Sequence, residues 1–431
     1  LIILGLFFIL YNIPLHGLSA NSLERFQFLA VILGTDFGSI ISLGIGPIVM
    51  ASIILQLLVG SGILSIDTKT EEGKRYFQGI QKLGVLFFIL FEAIVYVALG
   101  GLQAAPGYQT LVIVQLILGG LAIMFMDEVT SKWGFGSGVS LFILAGVALQ
   151  IFVGLFQFIG PTGENCLVDF GNTTCAGKIL VIIQAVINGA PQEAVLAISV
   201  ILTTAVIFLG AVWAQGLKIE IPLSFDRLRG YGVKWPLAFF YASVIPVILV
   251  SALVANIQLF GSLLETKLGH ATLLGSFSNG QPISGLAFWL GYTNLVEAII
   301  RGSFTTGIII QSIVHVLFYM VFATIFSVFW VKTSGMEASA QARNIMASGL
   351  QIPGFRKDER VLESVLERYI MPLTIMGGLA VGALAAIANI LGALTAGTSI
   401  LLAVMVTYQF YQNIAQQHAL DMHPSLRKFV T

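Results

Sequence analysis

The sequence predicts an all-α polytopic membrane protein with ten transmembrane spans, and three observations carry that reading. The 431 residues are 57% hydrophobic and only 10% charged, with mean hydropathy +0.94, whereas a soluble domain carries about 25% charge. Hydropathy marks ten apolar runs, at 1–15, 40–60, 79–100, 108–126, 138–158, 194–216, 237–260, 304–331, 371–391 and 398–416. The positive charge is concentrated in alternate connections. Seventeen of the 21 Lys and Arg residues fall in loops 61–78, 127–137, 217–236 and 332–370, in the C-terminal tail, or at adjacent helix ends; Arg25, Lys178, Lys267 and Arg301 are the others. The positive-inside rule then places both termini in the cytoplasm of a multi-pass protein of the cell membrane.

The first run opens on Leu1, already apolar, so residues are expected upstream. Neither a basic n-region nor a small-residue cleavage site marks 1–13 as a signal peptide. The stretch Leu43–Gly60 organises the rest. It is uncharged and opens with Gly44, Gly46 and Pro47, and proline is tolerated in a helix's first turn. As one helix from Gly44 it would cover about 26 Å, close to a hydrocarbon core. Before it, Ser22–Leu33 reads as a half-helix of roughly 18 Å that cannot span. Asn21 and Glu24 are spaced as its capping box, and Gly34 and Gly38 interrupt the chain after it.

Further along, 134–138 is glycine-rich and reads as a turn into the fifth span. Between spans five and six, Lys178–Asn188 is an apolar stretch too short to cross, expected at the interface. The same loop holds Cys166 and Cys175, which pair only if it faces an oxidising side, and a short sequon at Asn172. Loop 216–236 alternates apolar and polar residues and turns through Gly230 and Gly232, the pattern of a projecting hairpin with basic residues at its tip. Loop 332–369 carries GFRKDER at 354–360 and ends in a helix with charges at its cytoplasmic end. Gly378 and Gly382 form a GxxxG on the ninth span, a signature of close helix packing. Three regions follow: an N-terminal half (1–160), an external connection (161–193) and a C-terminal half (194–431). Five spans per half invert one half relative to the other.

Composition also excludes functions. Net charge is zero, so no basic excess points to nucleic acid as a whole-chain ligand. The zinc, serine and aspartyl intramembrane protease motifs are absent, as is a phosphate-binding loop, so no catalytic site, metal or cofactor is expected. Glu92 and His315 are the clearly internal ionisable residues, each expected to serve helix-to-helix bonding. A gradient-driven solute transporter with inverted repeats is the second reading. It would need intramembrane carboxylates, and the spans offer one.

Several stretches, in order, resemble the SecY family, the pore subunit of the protein-conducting channel, in its archaeal form. They are LGIGPIVMASIILQLLVGSG (43–62), FQGIQKLG (77–84), MDEVTSKWGFGSGVSLFILAGV (126–147), KIEIPLSFDRLRGYGVKWPLAF (218–239), SVIPVILVSALVANIQLFG (243–261), GFRKDER (354–360) and IANILGALTAGTSILL (387–402). The resemblance implies an hourglass pore between the halves. It carries unfolded secretory polypeptides across and releases hydrophobic segments sideways into lipid. Carried over by these stretches, the pore ring is Ile45, Val49, Val139, Ile143, Ile248 and Leu402. The plug is the half-helix with Ser22, Leu23, Phe26, Leu29 and Leu33, which on its own residues reads equally as an interfacial amphipathic helix. The lateral gate lies between spans two and three and spans seven and eight. Gln81 and Asn256 take its polar positions and are expected to bond across it, while Met50 is apolar where relatives often carry threonine. Arg227, Arg229, Lys234, Arg356 and Lys357 match a docking surface for the ribosome or a targeting receptor, although setting topology alone accounts for basic loops. The implied partners are SecE-like and beta-like small membrane subunits, signal sequences and nascent chains.

Overall fold

A computed structural model of the chain describes residues 2–21, 35–60, 63–64, 66, 70–134, 137–160, 165–166, 175–225, 232–242, 245–278, 281–347, 350–351 and 358–422. The chain begins with α1 (Ile2–Asn12), β1 (Leu18–Asn21), α2 (Gly46–Gly60), α3 (Glu71–Ala98), β2 (Leu102–Ala104), α4 (Gln109–Trp133) and α5 (Gly138–Phe156). There follow α6 (Lys178–Ile187), α7 (Pro191–Gln215), β3 (Lys218–Phe225), β4 (Gly232–Ala238) and α8 (Ile245–Leu268). The remainder is β5 (Ser276–Ser278), β6 (Gln281–Ser284), α9 (Gly285–Leu290), α10 (Leu295–Ile300), α11 (Thr306–Thr333), α12 (Ala338–Ala347), β7 (Leu350–Gln351), α13 (Glu359–Leu391) and α14 (Gly397–Met422).

Seven of the described helices (α3, α4, α5, α7, α8, α11 and α13) are long and apolar enough to cross a membrane. With α1, α2 and α14 they make the ten elements expected from hydropathy. α14 has the length, 26 residues, but Gln409 and Gln412 follow its apolar first half. Two expected spans are shorter than predicted. α1 has 11 residues and stops before Ile13, because Pro14 disfavours helical backbone in the residue ahead of it. α2 starts at Gly46 and not at Gly44, so its 15 described residues cover about 22 Å, less than a helix from Gly44 would. The reason is local. Residues 41–45 run as turns and Gly44 has φ +53°, a left-handed conformation that glycine adopts without a Cβ clash. Pro47 sits in the first turn of α2, as its missing N–H allows.

The eighth helix also moves relative to expectation. Hydropathy begins that span at residue 237, but 232–238 is spent in β4, and α8 runs from Ile245 to Leu268. It is the most enclosed helix of the bundle: Val247, Ile248, Leu249, Val250, Ala252, Ala255, Leu259 and Leu263 are all buried. Its neighbours include α2, α11 and the strand β5. α2 in turn packs on α3, α8 and α11, so this short helix touches elements from both halves of the sequence.

α11 and α13 pair along much of their length, and the GxxxG on α13 makes that contact. A Cβ on Gly382 would lie 2.6 Å from the carbonyl oxygen of Tyr319, and one on Gly378 2.9 Å from the Cα of Thr324. Small residues allow this approach where lipid offers no hydrophobic drive for association. Gly382→Leu is therefore expected to cost at least about 2 kcal/mol through overpacking. A thermal unfolding scan in detergent that gave an unchanged midpoint would contradict the packing account.

The polar loops are built as well as connected. β3 and β4 form an antiparallel hairpin from Lys218↔Ala238 to Ser224↔Gly232, as the alternation predicted. Sequence did not reveal the third strand. β7, from the 332–369 loop, pairs with β3 at Ser224↔Gln351 and Phe225↔Leu350. The sheet sits on a cluster of Ile221, Leu237, Tyr241, Ile345, Leu362 and Leu366, and the Tyr241 hydroxyl donates to Met336 O at 2.7 Å. Burial pushes that phenol's pKa up. On the other side, Cys166 and Cys175 form a disulfide with their Cα atoms 5.3 Å apart, and α6 packs on α7.

Candidate functional site

The six residues expected at the ring come from four helices and the turn before α2. Ile45, Val49, Ile143, Ile248 and Leu402 are buried in one apolar cluster, and Val139 packs against it half-buried. Ile45, Ile143 and Leu402 have no exposed surface. The chain thus brings residues more than 350 positions apart into one buried apolar cluster.

On one side of that contact lies a cavity of about 230 Å³. Val49, Val139 and Ile248 form one wall of it, and Ser52, Gln56, Gln81, Asp127, Ser140 and Gln409 supply polar surface. Gln409 is seven residues beyond Leu402 on α14, about 10 Å along the axis, so the cavity is on the side of that helix's C-terminal end. Gln56 is buried, and its side-chain oxygen has no hydrogen-bond partner.

Two residues that sequence reading passed over hold this wall. The first is Asp127 near the end of α4. Its carboxylate accepts from the backbone N–H of Val139 at 2.9 Å, satisfying an otherwise unpaired amide in the first turn of α5. A Cβ on Gly138 would lie 2.6 Å from the Cα of Asp127, which explains glycine at that position of the GFGSG turn. The second is Ser52 on α2, which accepts from Gln81 Nε2 at 2.6 Å and donates to Ile48 O at 2.8 Å. The only local signal for Asp127 was a carboxylate eleven residues ahead of a helix start, and a non-local cap leaves no spacing rule to read.

The Gln81–Ser52 bond corrects the expected polar gate. It joins α2 to α3, while Asn256 on α8 turns its amide to the carbonyl of Ala252, four residues back on its own helix, at 2.8 Å. Gln81 and Asn256 are not bonded to each other. Val85, Ile89 and Ala93 of α3 and Ala255, Leu259 and Leu263 of α8 belong to one apolar cluster, and the rings of Phe91 and Phe260 are 6.4 Å apart. Beside this seam, Glu128 accepts from both Lys82 and Lys132 at 2.6 Å.

Of the two internal ionisable residues, His315 bonds to neighbouring elements as expected. Glu92 differs: it is fully buried and neither carboxyl oxygen has a partner. Asn21 ends β1 and its amide donates to Phe37 O at 2.6 Å. The plug residues Ser22, Leu23, Phe26, Leu29 and Leu33, and the docking residues Arg227, Arg229, Arg356 and Lys357, lie outside the described residues, as does Asn172. Lys234 sits in β4 opposite Pro222. The strand pairing nevertheless brings together the backbones that lead into the two basic stretches, since β3 ends at Phe225 and β7 at Gln351.

A family model described as SecY matches residues 39–411. The protein translocase subunit SecY of Methanothermobacter thermautotrophicus is 43% identical, over 100% of this chain and 92% of that protein. Its namesake from Archaeoglobus fulgidus is 39% identical, over 99% of this chain and 92% of the relative. Among solved structures, a protein conducting channel superposes with a TM-score of 0.84 at 37% identity, covering 98% of this chain and 92% of its own. Sec61 in the canine ribosome-channel complex from the endoplasmic reticulum gives 0.80 at 37% identity, with the same coverage.

Proposed function

The chain belongs to the SecY family, and from that premise we propose that it is the pore-forming subunit of a channel that moves unfolded secretory polypeptides across the membrane and releases hydrophobic segments laterally into lipid. The buried apolar cluster that holds Ile45, Val49, Ile143, Ile248 and Leu402, with Val139 against it, carries this reading, together with the adjoining cavity that Ser52, Gln56, Gln81, Asp127, Ser140 and Gln409 help to line. A short apolar constriction expels water at rest and so blocks ions, and its side chains part around a polypeptide without demanding a sequence. The chain's own residues supply closure and no chemistry, so the driving force comes from outside, with ribosomal synthesis as the source.

The remaining parts follow from the same premise. Segment 22–33 acts as the plug on the far side of the ring. The seam of α2 and α3 against α8 and α11 is the lateral gate, with Gln81 and Asn256 at its polar positions. Arg227, Arg229, Lys234, Arg356 and Lys357 form one docking surface for ribosomal RNA and protein or for a targeting receptor; the sheet that ties their loops together supports this. Both termini are cytoplasmic, which the basic loops favour, and the disulfide fits the opposite, oxidising face. The assembly is a heterotrimer with SecE-like and beta-like single-span subunits.

Since the closed seam is held by side-chain packing, Leu259→Ala is expected to loosen it more than Ser52→Ala. Losing a buried leucine costs about 2 kcal/mol or more, and the Gln81–Ser52 bond is worth about 1 kcal/mol in a membrane. The rate of disulfide formation between cysteines placed at Phe91 and Phe260 reads the difference; equal rates in the two variants would argue against an apolar gate. The function itself is tested by translating a secretory precursor onto proteoliposomes that hold the complex. Protease protection of the precursor supports the channel. Gradient-driven uptake of a small solute, with no protection, would return the chain to the transporter reading.

A further inference from the structure

Behind the ring, a chain of buried polar groups crosses four elements, and its donors and acceptors run in a single direction. His315 on α11 is 1% exposed. Its Nδ1 lies 2.7 Å from the carbonyl oxygen of Leu290, at the end of α9. A carbonyl only accepts, so Nδ1 carries the proton and Nε2 is left as an acceptor. Asn389 on α13 donates to that Nε2 from its Nδ2 at 3.3 Å. The amide is thereby fixed with its oxygen outward, and that oxygen accepts from the backbone N–H of Thr398 at 2.9 Å. Thr398 is the second residue of α14, one of the amides a helix leaves unpaired at its start.

The place where this chain ends matters. Leu402 is four residues on, one turn of α14, and reaches the ring from there. α13 and α14 also touch at this point. A Cβ on Gly397 would lie 2.0 Å from the carbonyl carbon of Ala388, so the two backbones are in close contact at the helix start. Above His315, Gln311 holds α9 a second time, donating to Phe288 O at 2.8 Å.

We propose that His315 and Asn389 are positioning residues of the channel: their directed hydrogen bonds fix the start of α14, and through it set Leu402 in the closed ring. The inference rests on the ring assignment above. Removing His315 takes from the Leu290 carbonyl its imidazole donor and from Asn389 Nδ2 its imidazole acceptor in a buried site, and each lost bond is costly there. The start of α14 then shifts to find partners, and the ring closes imperfectly.

The test uses the intact complex with its partner subunits, reconstituted in planar bilayers, with resting ion conductance as the readout. His315→Ala and Asn389→Ala are expected to raise the resting leak about tenfold, the effect of moving a closed–open equilibrium by about 1.4 kcal/mol. His315→Gln keeps an amide donor and an acceptor at similar reach and is expected to recover most of the tightness. Val381→Ala is the control, a buried truncation on α13 outside the relay; it lowers the thermal midpoint comparably and leaves the channel tight. A leak from Val381→Ala equal to that from the relay variants would overturn the proposal and make the effect one of general stability. Leu402→Gly separates the two levels. If Leu402→Gly leaks and the relay variants do not, the relay inference fails; if Leu402→Gly itself stays tight, the ring assignment fails first.

Discussion

Channels carrying Leu402→Gly together with Ile248→Gly are expected to pass ions at rest at least about tenfold more readily than the unaltered complex. They should also export precursors with defective signal sequences. The physical cause is the loss of dewetting. In the proposed ring Leu402 comes from α14 and Ile248 from α8, and both are buried in the same apolar cluster as Val49 and Ile143. Removing both side chains leaves a gap next to the cavity that already reaches Val49, Val139 and Ile248. Water that enters such a gap finds Ser52, Gln56 and Gln409 close by, so a hydrated path is easier to sustain than in a uniformly apolar plug. Planar-bilayer recording checks this. A conductance equal to that of the unaltered complex, with the variant folded, would mean that closure lies elsewhere.

The second large effect is on docking. Reversing Arg227, Arg229 and Arg356 to glutamate is expected to reduce ribosome binding by about a hundredfold at low salt and to flatten its salt dependence by about 3 in the log–log slope, because each arginine lost releases one fewer counterion. Arg227 and Arg229 sit in one loop and Arg356 in the other. The pairing of β3 with β7 brings together the backbones that lead into these two loops, on a common buried base. Cosedimentation of ribosomes with proteoliposomes across a salt series measures both quantities. A slope that stays the same, with the sheet intact, would reduce these bases to topology signals.

How much of this was legible in the sequence depends on the range of each interaction. Ten apolar runs, the hairpin at 218–238 and the close packing at Gly378 and Gly382 are local patterns, and hydropathy, alternation and spacing report them directly. Helix starts fared worse. α2 begins two residues late because Gly44 turns left-handed. α8 begins eight residues late because Leu237 and Ala238, apolar enough for a span, complete a strand pairing with Ile219 and Lys218. Hydropathy measures a residue's preference for lipid and is silent on such backbone competition. The proposed ring rests on family resemblance, since in composition its members are ordinary core residues. What stayed hidden was non-local: β7 joining β3, Asp127 capping the amide of Val139, Ser52 taking Gln81 away from Asn256, and Asn389 choosing the amide of Thr398. Each joins positions whose separation obeys no periodicity.

The central claim is that a translocating polypeptide passes through the ring. Site-specific crosslinking from probes at Ile248 and Leu402 to a stalled, ribosome-bound secretory chain in membranes tests it most directly. The account predicts adducts from both positions, lost when the signal sequence is deleted. An absence of adducts from both, with the ribosome bound and the complex intact, would contradict it.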